Sequence, residues 1–341
     1  MPRPRWWQNG RWTPRRGRFA PGGPRGTGAA VAERDSGNSA GVTAGTVCVG
    51  VDGSEGSARA VRWAARYAAA GALPLQLLYV VTVPSVFYSE PMAARFVEDE
   101  RTRIGEKILR EAAAAARAAV DGADLVIDAG YEVGSPSEVL IDRTADARLL
   151  VMGTRGHGEL TGLFVGSVTR AIVGHAHCPV AVIPGLPDGV PDPSDRPDAP
   201  VVVGVDGSEA GLAALDFAYA EAEARGAELV AVHVWSDAGV HPRLLGSRAD
   251  DPYWLRVQRT EEERLRSLVE ERSARHPGTW VHQVVERENP AKILAEWSAH
   301  AQMVVTGSRG RGGFAGLVLG STSHALLHRS KCPLVVLRPR G

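Results

Sequence analysis

The run Val49-Gly50-Val51-Asp52-Gly53-Ser54-Glu55 returns as Val203-Gly204-Val205-Asp206-Gly207-Ser208-Glu209, 154 residues further on. The same offset relates Val80 to Val234, Pro136 to Pro290, Gly153 to Gly307 and Cys178-Pro179 to Cys332-Pro333. A register kept over about 140 residues means that one domain is written twice. The chain must therefore fold as two similar bodies, and 341 residues give each of them enough length for its own core. Between the copies, Pro184 to Pro200 holds six prolines with Asp and Gly, the composition of an exposed linker. The expected organisation is a tail over 1–44, a domain over 45–184, a linker over 185–199 and a second domain over 200–338.

Periodicity orders the elements of the first copy. Apolar residues 46–51 read as a strand, and Ser54 or Gly56 opens a helix running to about Ala70. Residues 75–81 form a second strand, and 93–119 a long Ala/Arg/Glu helix. A third strand is expected over 123–131, then a helix over 135–145 with Pro136 near its first position. Residues 148–152 and 180–183 complete five strands, with a helix opening at Ser167 between them. The second copy repeats the pattern, with Gly226 closing its first helix and a long helix over 261–275. Apolar strands alternating with helices imply right-handed crossovers and a parallel sheet covered on both faces. The fold class is α/β, doubly wound, twice over. In such sheets a ligand lies outside the strand C-termini where the winding reverses. A reversal between strands one and four would bring Asp52 beside Gly153, and Asp206 beside Gly307.

The fourth strand of each copy runs into a glycine loop: Gly153-Thr154-Arg155-Gly156 with Gly166-Ser167, and Gly307-Ser308-Arg309-Gly310 with Gly320-Ser321. A strand, a glycine-rich turn and a helix N-terminus with a hydroxyl make an anion cradle, because backbone N–H groups and the helix dipole favour negative charge. The alternative is a bare turn whose glycines serve only backbone geometry. Asp52 and Asp206 likewise read either as ligand contacts or as Asx turns, and Ser54 and Ser208 read as helix N-caps. Arg155 and Arg309 suit phosphate oxygens as well as solvent. No Gly-Lys-Ser/Thr occurs, which excludes a Walker A loop. The Gly310–Ala315 stretch matches a dinucleotide fingerprint in spelling only, since it comes after a fourth strand and Thr161 breaks it in copy one.

Apolar residues make up 44% of the chain and charged ones 23%, as in an ordinary globular protein. No run approaches a membrane span, and the N-terminus has no apolar signal core. Cys48, Cys178 and Cys332 lie in apolar runs without CxxC spacing and read as buried, reduced thiols of a cytoplasmic protein. The net charge of zero hides an asymmetry: residues 1–44 hold eight Arg against Glu33 and Asp35, so the tail is +6 and the rest −6. Its Pro/Gly/Arg composition cannot bury a core and reads as disordered. Trp6, Trp7 and Trp12 among those arginines raise contact with nucleic acid or anionic lipid as a second reading, but neither nucleic acid nor membrane is the expected partner. A start near Val31 or Val42 would need a non-Met codon, since the next methionine after Met1 is Met92.

Gly-x2-Gly-x9-Gly-Ser after a strand, with Val-Asp-Gly-Ser upstream, resembles the universal stress protein family in its tandem form, over roughly 45–184 and 200–338. The resemblance implies a five-stranded parallel sheet of order 3-2-1-4-5 in each half and binding of ATP with Mg²⁺, one site per domain. It assigns Asp52 and Asp206 to the adenosine, and Val80 and Val234 to the border of the adenine. Gly153, Gly156, Gly166 and Ser167 would hold ribose and phosphates, with Val168 and Thr169 in the next helical turn. Gly307, Gly310, Gly320, Ser321 and Ser323 match them in copy two. One departure is that apolar Met152 is replaced by Thr306. The resemblance further implies a regulatory role in stress or dormancy and pairing of the two halves as a pseudo-dimer through their fifth strands, and it allows a homodimer beyond that. No residue is given a catalytic role: Ser54 lacks a His base, because His157 is Arg311 in copy two. A cyclic-AMP-binding module, a nucleotide-free partner-binding protein and a weak ATP hydrolase are the rival readings.

Overall fold

The computed structural model describes residues 7–8, 11–12, 45–83, 86, 91–154, 165–186, 193–236, 252–311 and 318–339. Within the tail, Trp7–Gln8 and Arg11–Trp12 pair as antiparallel two-residue strands. The chain divides into two compact units between Gly185 and Leu186.

The first unit runs β1 (Val47–Val51), α1 (Glu55–Ala70), β2 (Leu75–Val81), α2 (Pro91–Ala118), β3 (Ile127–Val133), α3 (Pro136–Arg143), β4 (Leu149–Gly153), α4 (Ser167–His175) and β5 (Val180–Ile183). Its strands are all parallel, in the order β3-β2-β1-β4-β5. The second unit repeats this with β6 (Val201–Gly204), α5 (Glu209–Arg225), β7 (Leu229–Trp235), α6 (Pro252–Ser273), β8 (Val281–Arg287), α7 (Pro290–Ser298), β9 (Met303–Gly307), α8 (Ser321–Arg329) and β10 (Leu334–Leu337). The order there is β8-β7-β6-β9-β10, again parallel. Both match the expected 3-2-1-4-5 arrangement.

The central strands β1 and β4 are buried along their whole length, and β6 and β9 up to their final glycines. Helices cover both faces, so neither face needs polar residues and the strands read as unbroken apolar runs. Helix α1 supplies Ala60, Val61, Ala64 and Ala68 to the core, small side chains that let a helix lie close on a sheet. Serine opens both first helices: Ser54 Oγ accepts from Ser57 N at 3.2 Å, and Ser208 Oγ from Gly211 N at 3.1 Å. Each cap satisfies one orphan donor of its helix, worth about 1 kcal/mol. Gly226 closes α5 in the left-handed conformation that favours glycine, with φ of 59°.

Two element boundaries differ from expectation. Strand β3 begins at Ile127, not at Ala123, because Asp121 and Gly122 both take positive φ (41° and 79°) and delay the chain. Pairing with β2 starts only where Ile127 meets Leu75. Helix α6 starts at Pro252, well before Glu261. Proline suits a first helical position, and Trp254, 3% exposed, anchors the added turns to the core.

All three thiols are free and buried. Burial pushes Cys48 and Cys178 up to about 12, since a thiolate would be stripped of water there. Near pH 8 a thiol reagent is therefore expected to label the native chain slowly and the urea-unfolded chain at once. Rapid labelling of all three thiols in native buffer would contradict this burial.

Candidate functional site

Within each unit, β1 and β4 (or β6 and β9) are neighbours, with Val49 against Val151 and Val203 against Val305. The winding reverses there, so Asp52 and Asp206, which come just after β1 and β6, emerge beside the strand that feeds the glycine loop. In the second unit the contact is direct. Asp206 Oδ2 accepts the Arg311 backbone N–H at 3.0 Å, while Oδ1 accepts both the Ser208 N–H (3.0 Å) and its hydroxyl (2.6 Å). Ser208 Oγ also lies 3.3 Å from the Arg309 carbonyl oxygen. One carboxylate thus ties the β6–α5 turn to the loop after β9. The first unit repeats the inner half: Asp52 Oδ1 accepts from Ser54 N at 2.9 Å and Ser54 Oγ at 2.6 Å. Both aspartates therefore form Asx turns and, in the second unit, also hold the loop.

The glycines have specific reasons. A Cβ on Gly153 would stand 2.6 Å from the Gly56 carbonyl carbon, and one on Gly307 would stand 2.7 Å from that of Ala210. Fourth strand and first helix meet backbone to backbone, which only glycine permits. At Gly310 a Cβ would meet the Asp206 Oδ2 at 2.5 Å. Arg155 and Gly156 lie outside the described residues, as does His157.

The helix after each loop is capped differently from α1 and α5. Gly166 and Gly320 occupy the N-cap positions of α4 and α8, with no side chain accepting from the first turn and no acidic residue in it. Gly166 N donates to Thr154 O (2.9 Å) and Gly320 N to Ser308 O (2.7 Å), which closes each loop on itself. The N–H groups behind those glycines keep the positive end of the helix open to an anion. Ser167 and Ser321 are exposed at that end. Thr169 and Ser323 have other work: Thr169 Oγ1 donates to Gly153 O at 3.0 Å, and Ser323 Oγ to Gly307 O at 2.7 Å. Both hydroxyls pin the helix to the strand end. Val168 is half-buried beside Thr169. The Met152 to Thr306 departure is accommodated, because the Thr306 hydroxyl sits 3.4 Å from that of Ser323.

Val80 and Val234 are half-buried near the C-terminal ends of β2 and β7, at the same edge of their sheets as the loops. Beside Val234, sequence reasoning missed a buried polar pair. His233 Nδ1 lies 2.6 Å from Val205 O, and Nε2 lies 3.0 Å from Glu261 Oε2 on α6. The first unit has Tyr79 against Gly105 in that place. Ser308, inside the second loop, is fully buried and its hydroxyl has no hydrogen-bond partner. Among the described residues no cluster of His, Cys, Asp or Glu is arranged to hold a metal ion. His175, His177 and His324 are exposed.

The model of the universal stress protein family matches this chain twice, over residues 44–184 and 199–338. The chain belongs to the universal stress protein family. A universal stress protein of Mycobacterium tuberculosis is 38% identical over 302 residues, covering 86% of this chain and 96% of that protein. One from Mycolicibacterium smegmatis is 36% identical over 299 residues, covering 86% and 97%. Among solved structures, a universal stress protein from Archaeoglobus fulgidus superposes with a TM-score of 0.62 at 25% identity, covering 87% of this chain and 98% of that one. The tandem arrangement is therefore shared along the whole length of these relatives. Among the described residues no helix is long and apolar enough to cross a membrane.

Proposed function

We propose that each domain binds an adenine nucleotide, ATP with Mg²⁺, and that occupancy serves a regulatory role in the stress response of the cytoplasm. The observation that carries this reading is the pair of helix N-termini after the glycine loops. Two other helices of each unit are opened by Ser or Asn or by proline, whereas α4 and α8 are opened by a bare glycine. A helix end whose N-cap residue has no side chain to accept from it favours an anionic ligand. The orphaned Ser308 hydroxyl is a further donor awaiting a partner in the second site.

In this reading Gly166, Ser167, Gly320 and Ser321 present first-turn donors to the phosphates. Asp52 and Asp206 hold the turn beside the adenosine, and Val80 and Val234 border the base. Magnesium would be held chiefly by the phosphates, as is usual for this hard cation. The residues supply cradling and orientation; none is placed as a general base, so any hydrolysis is slow. Pairing of the halves through their fifth strands, and a further homodimer, belong to the same proposal.

Titration calorimetry of the full chain with ATP, AMP and cyclic AMP tests it. Two saturable sites per chain that accept ATP are expected, with cyclic AMP bound more weakly. Preference for cyclic AMP would replace the ligand, absence of any binding would leave a partner-binding protein, and fast phosphate release in a single turnover would make it a hydrolase.

A further inference from the structure

Two arginines meet above the turn that lies beside the second glycine loop. Gly207 turns with φ of 75° directly after Asp206, and a methyl-sized group on it would lie 3.1 Å from Arg264 Nη2 and 3.2 Å from Arg311 Nη2. Arg264 comes from α6 and Arg311 from the loop, so two guanidinium groups from separate elements close on one small space above the turn. Both side chains are exposed, and among the described residues neither has a carboxylate within ion-pair distance. Three acids of the surrounding elements are otherwise engaged. Asp206 spends its oxygens on Ser208 and the Arg311 backbone, Glu261 faces His233, and Glu262 accepts from Gln258. Burial first, and then the nearby Arg309, disfavour the charged form of Arg338 in the same domain. Like charges brought together without a counter-ion repel, and the arrangement suits an anion with several oxygens.

The sequence of the first unit differs at the matching positions. From Gly105 on, the fully buried positions of α2 are Gly105, Leu109, Ala113 and Ala116; in α6 half-buried Glu261 and buried Leu265, Val269 and Arg272 follow with the same spacing. Gly105 against Tyr79 and Glu261 against His233 fix that alignment independently. Arg264 therefore matches Ile108, and by the loop register Arg311 matches His157 and Arg338 matches Pro184.

We propose that the second domain reads the polyphosphate tail of its nucleotide through Arg264 and Arg311, whereas the first, whose sequence has Ile108 and His157 at the matching positions, does not. The chain then holds two nucleotide sites of different phosphate preference, one sensitive to the ratio of ATP to AMP and one indifferent to it. This rests on the nucleotide reading above. Occupancy of the two sites diverges as the triphosphate falls, which gives a duplicated domain a reason to keep both copies unequal.

The test is calorimetry of the full chain with ATP and AMP, in wild type and in Arg264→Ala/Arg311→Ala. Wild type is expected to show one site class that binds ATP at least about tenfold tighter than AMP, since each charge-assisted contact is worth about that much. The double variant is expected to lose that margin while its AMP affinity stays within about twofold, with an unchanged melting curve because both side chains are exposed. Conversely, Ile108→Arg/His157→Arg is expected to give the other class a preference for ATP. An ATP margin that survives the double variant, or equal losses for ATP and AMP, overturns the proposal and leaves the nucleotide reading standing. A wild-type chain that binds neither nucleotide overturns both.

Discussion

Gly307→Ala is expected to destabilise the second domain by about 3 kcal/mol, the upper end of the usual cost of overpacking. The added methyl would stand 2.7 Å from the Ala210 carbonyl carbon, 2.8 Å from Ala210 Cβ and 2.9 Å from Gly211 N. Two of those atoms are backbone, in the first turn of α5, and the turn cannot retreat. Ser208 caps it through Gly211 N, and the Asp206 carboxylate packs on Gly211. Nor can β9 move away, because Gly307 is paired with Leu337 and Ser308 N donates to Leu337 O at 2.6 Å. Urea titration monitored by tryptophan emission reads the effect, since Trp235, Trp254, Trp280 and Trp297 all lie in this domain. A slope of about 1–3 kcal/mol per molar urea turns such a loss into a midpoint shift of about 1 M or more. An unshifted midpoint would show that strand and helix do not meet as closely as the glycine implies. Gly153→Ala is expected to act likewise on the first domain, through the Gly56 carbonyl carbon at 2.6 Å.

The architecture was legible because its signals are local and doubled. Strands buried on both faces spell themselves as apolar runs, and Ser54, Pro136 and Gly226 punctuate the helices between them. The start of β3 was not legible, since Ala123-Asp124-Leu125 is as strand-like as the residues of β3 itself and only the positive φ at Asp121 and Gly122 displaces it. The start of α6 was hidden for another reason: residues 252–260 open on a proline and mix apolar with polar side chains, and their helix depends on the burial of Trp254. At the site, the pairing of Asp206 with the glycine loop could be inferred from their joint repetition, and the bond to Arg311 N bears it out for that copy. A hydroxyl's direction is not written in sequence. Thr169 and Ser323 looked like ligand contacts, yet each donates to a glycine carbonyl. Arg264 was invisible, because it stands on a helix remote in sequence from the loop and only the crossover brings it back over Gly207.

Gly310→Ala combined with Gly156→Ala is expected to weaken ATP binding by about tenfold or more while leaving the melting curve within about a degree of wild type. Gly310 differs from Gly307 in what surrounds it. Its methyl would meet the Asp206 Oδ2 at 2.5 Å and the Asp206 Cγ at 3.6 Å, and among the described residues no other atom within 4 Å outside its chain neighbours. The obstacle is the tip of one half-exposed side chain, which can swing aside at little cost to the fold. Swinging aside breaks the Asp206 bond to Arg311 N, and the loop loses the tether that holds it beside the β6–α5 turn. Losing a charge-assisted bond together with the loop's preorganisation is worth about 1.5–3 kcal/mol at the second site, or roughly ten- to more than a hundredfold in Kd. Calorimetry with ATP and a thermal melt on the same preparation separate the two effects. Gly307→Ala should move the melt first, and the Gly310 variant should move only the titration. If the Gly310 variant binds ATP as wild type does, the nucleotide does not use this loop, and its glycines serve the backbone contact between strand and helix alone.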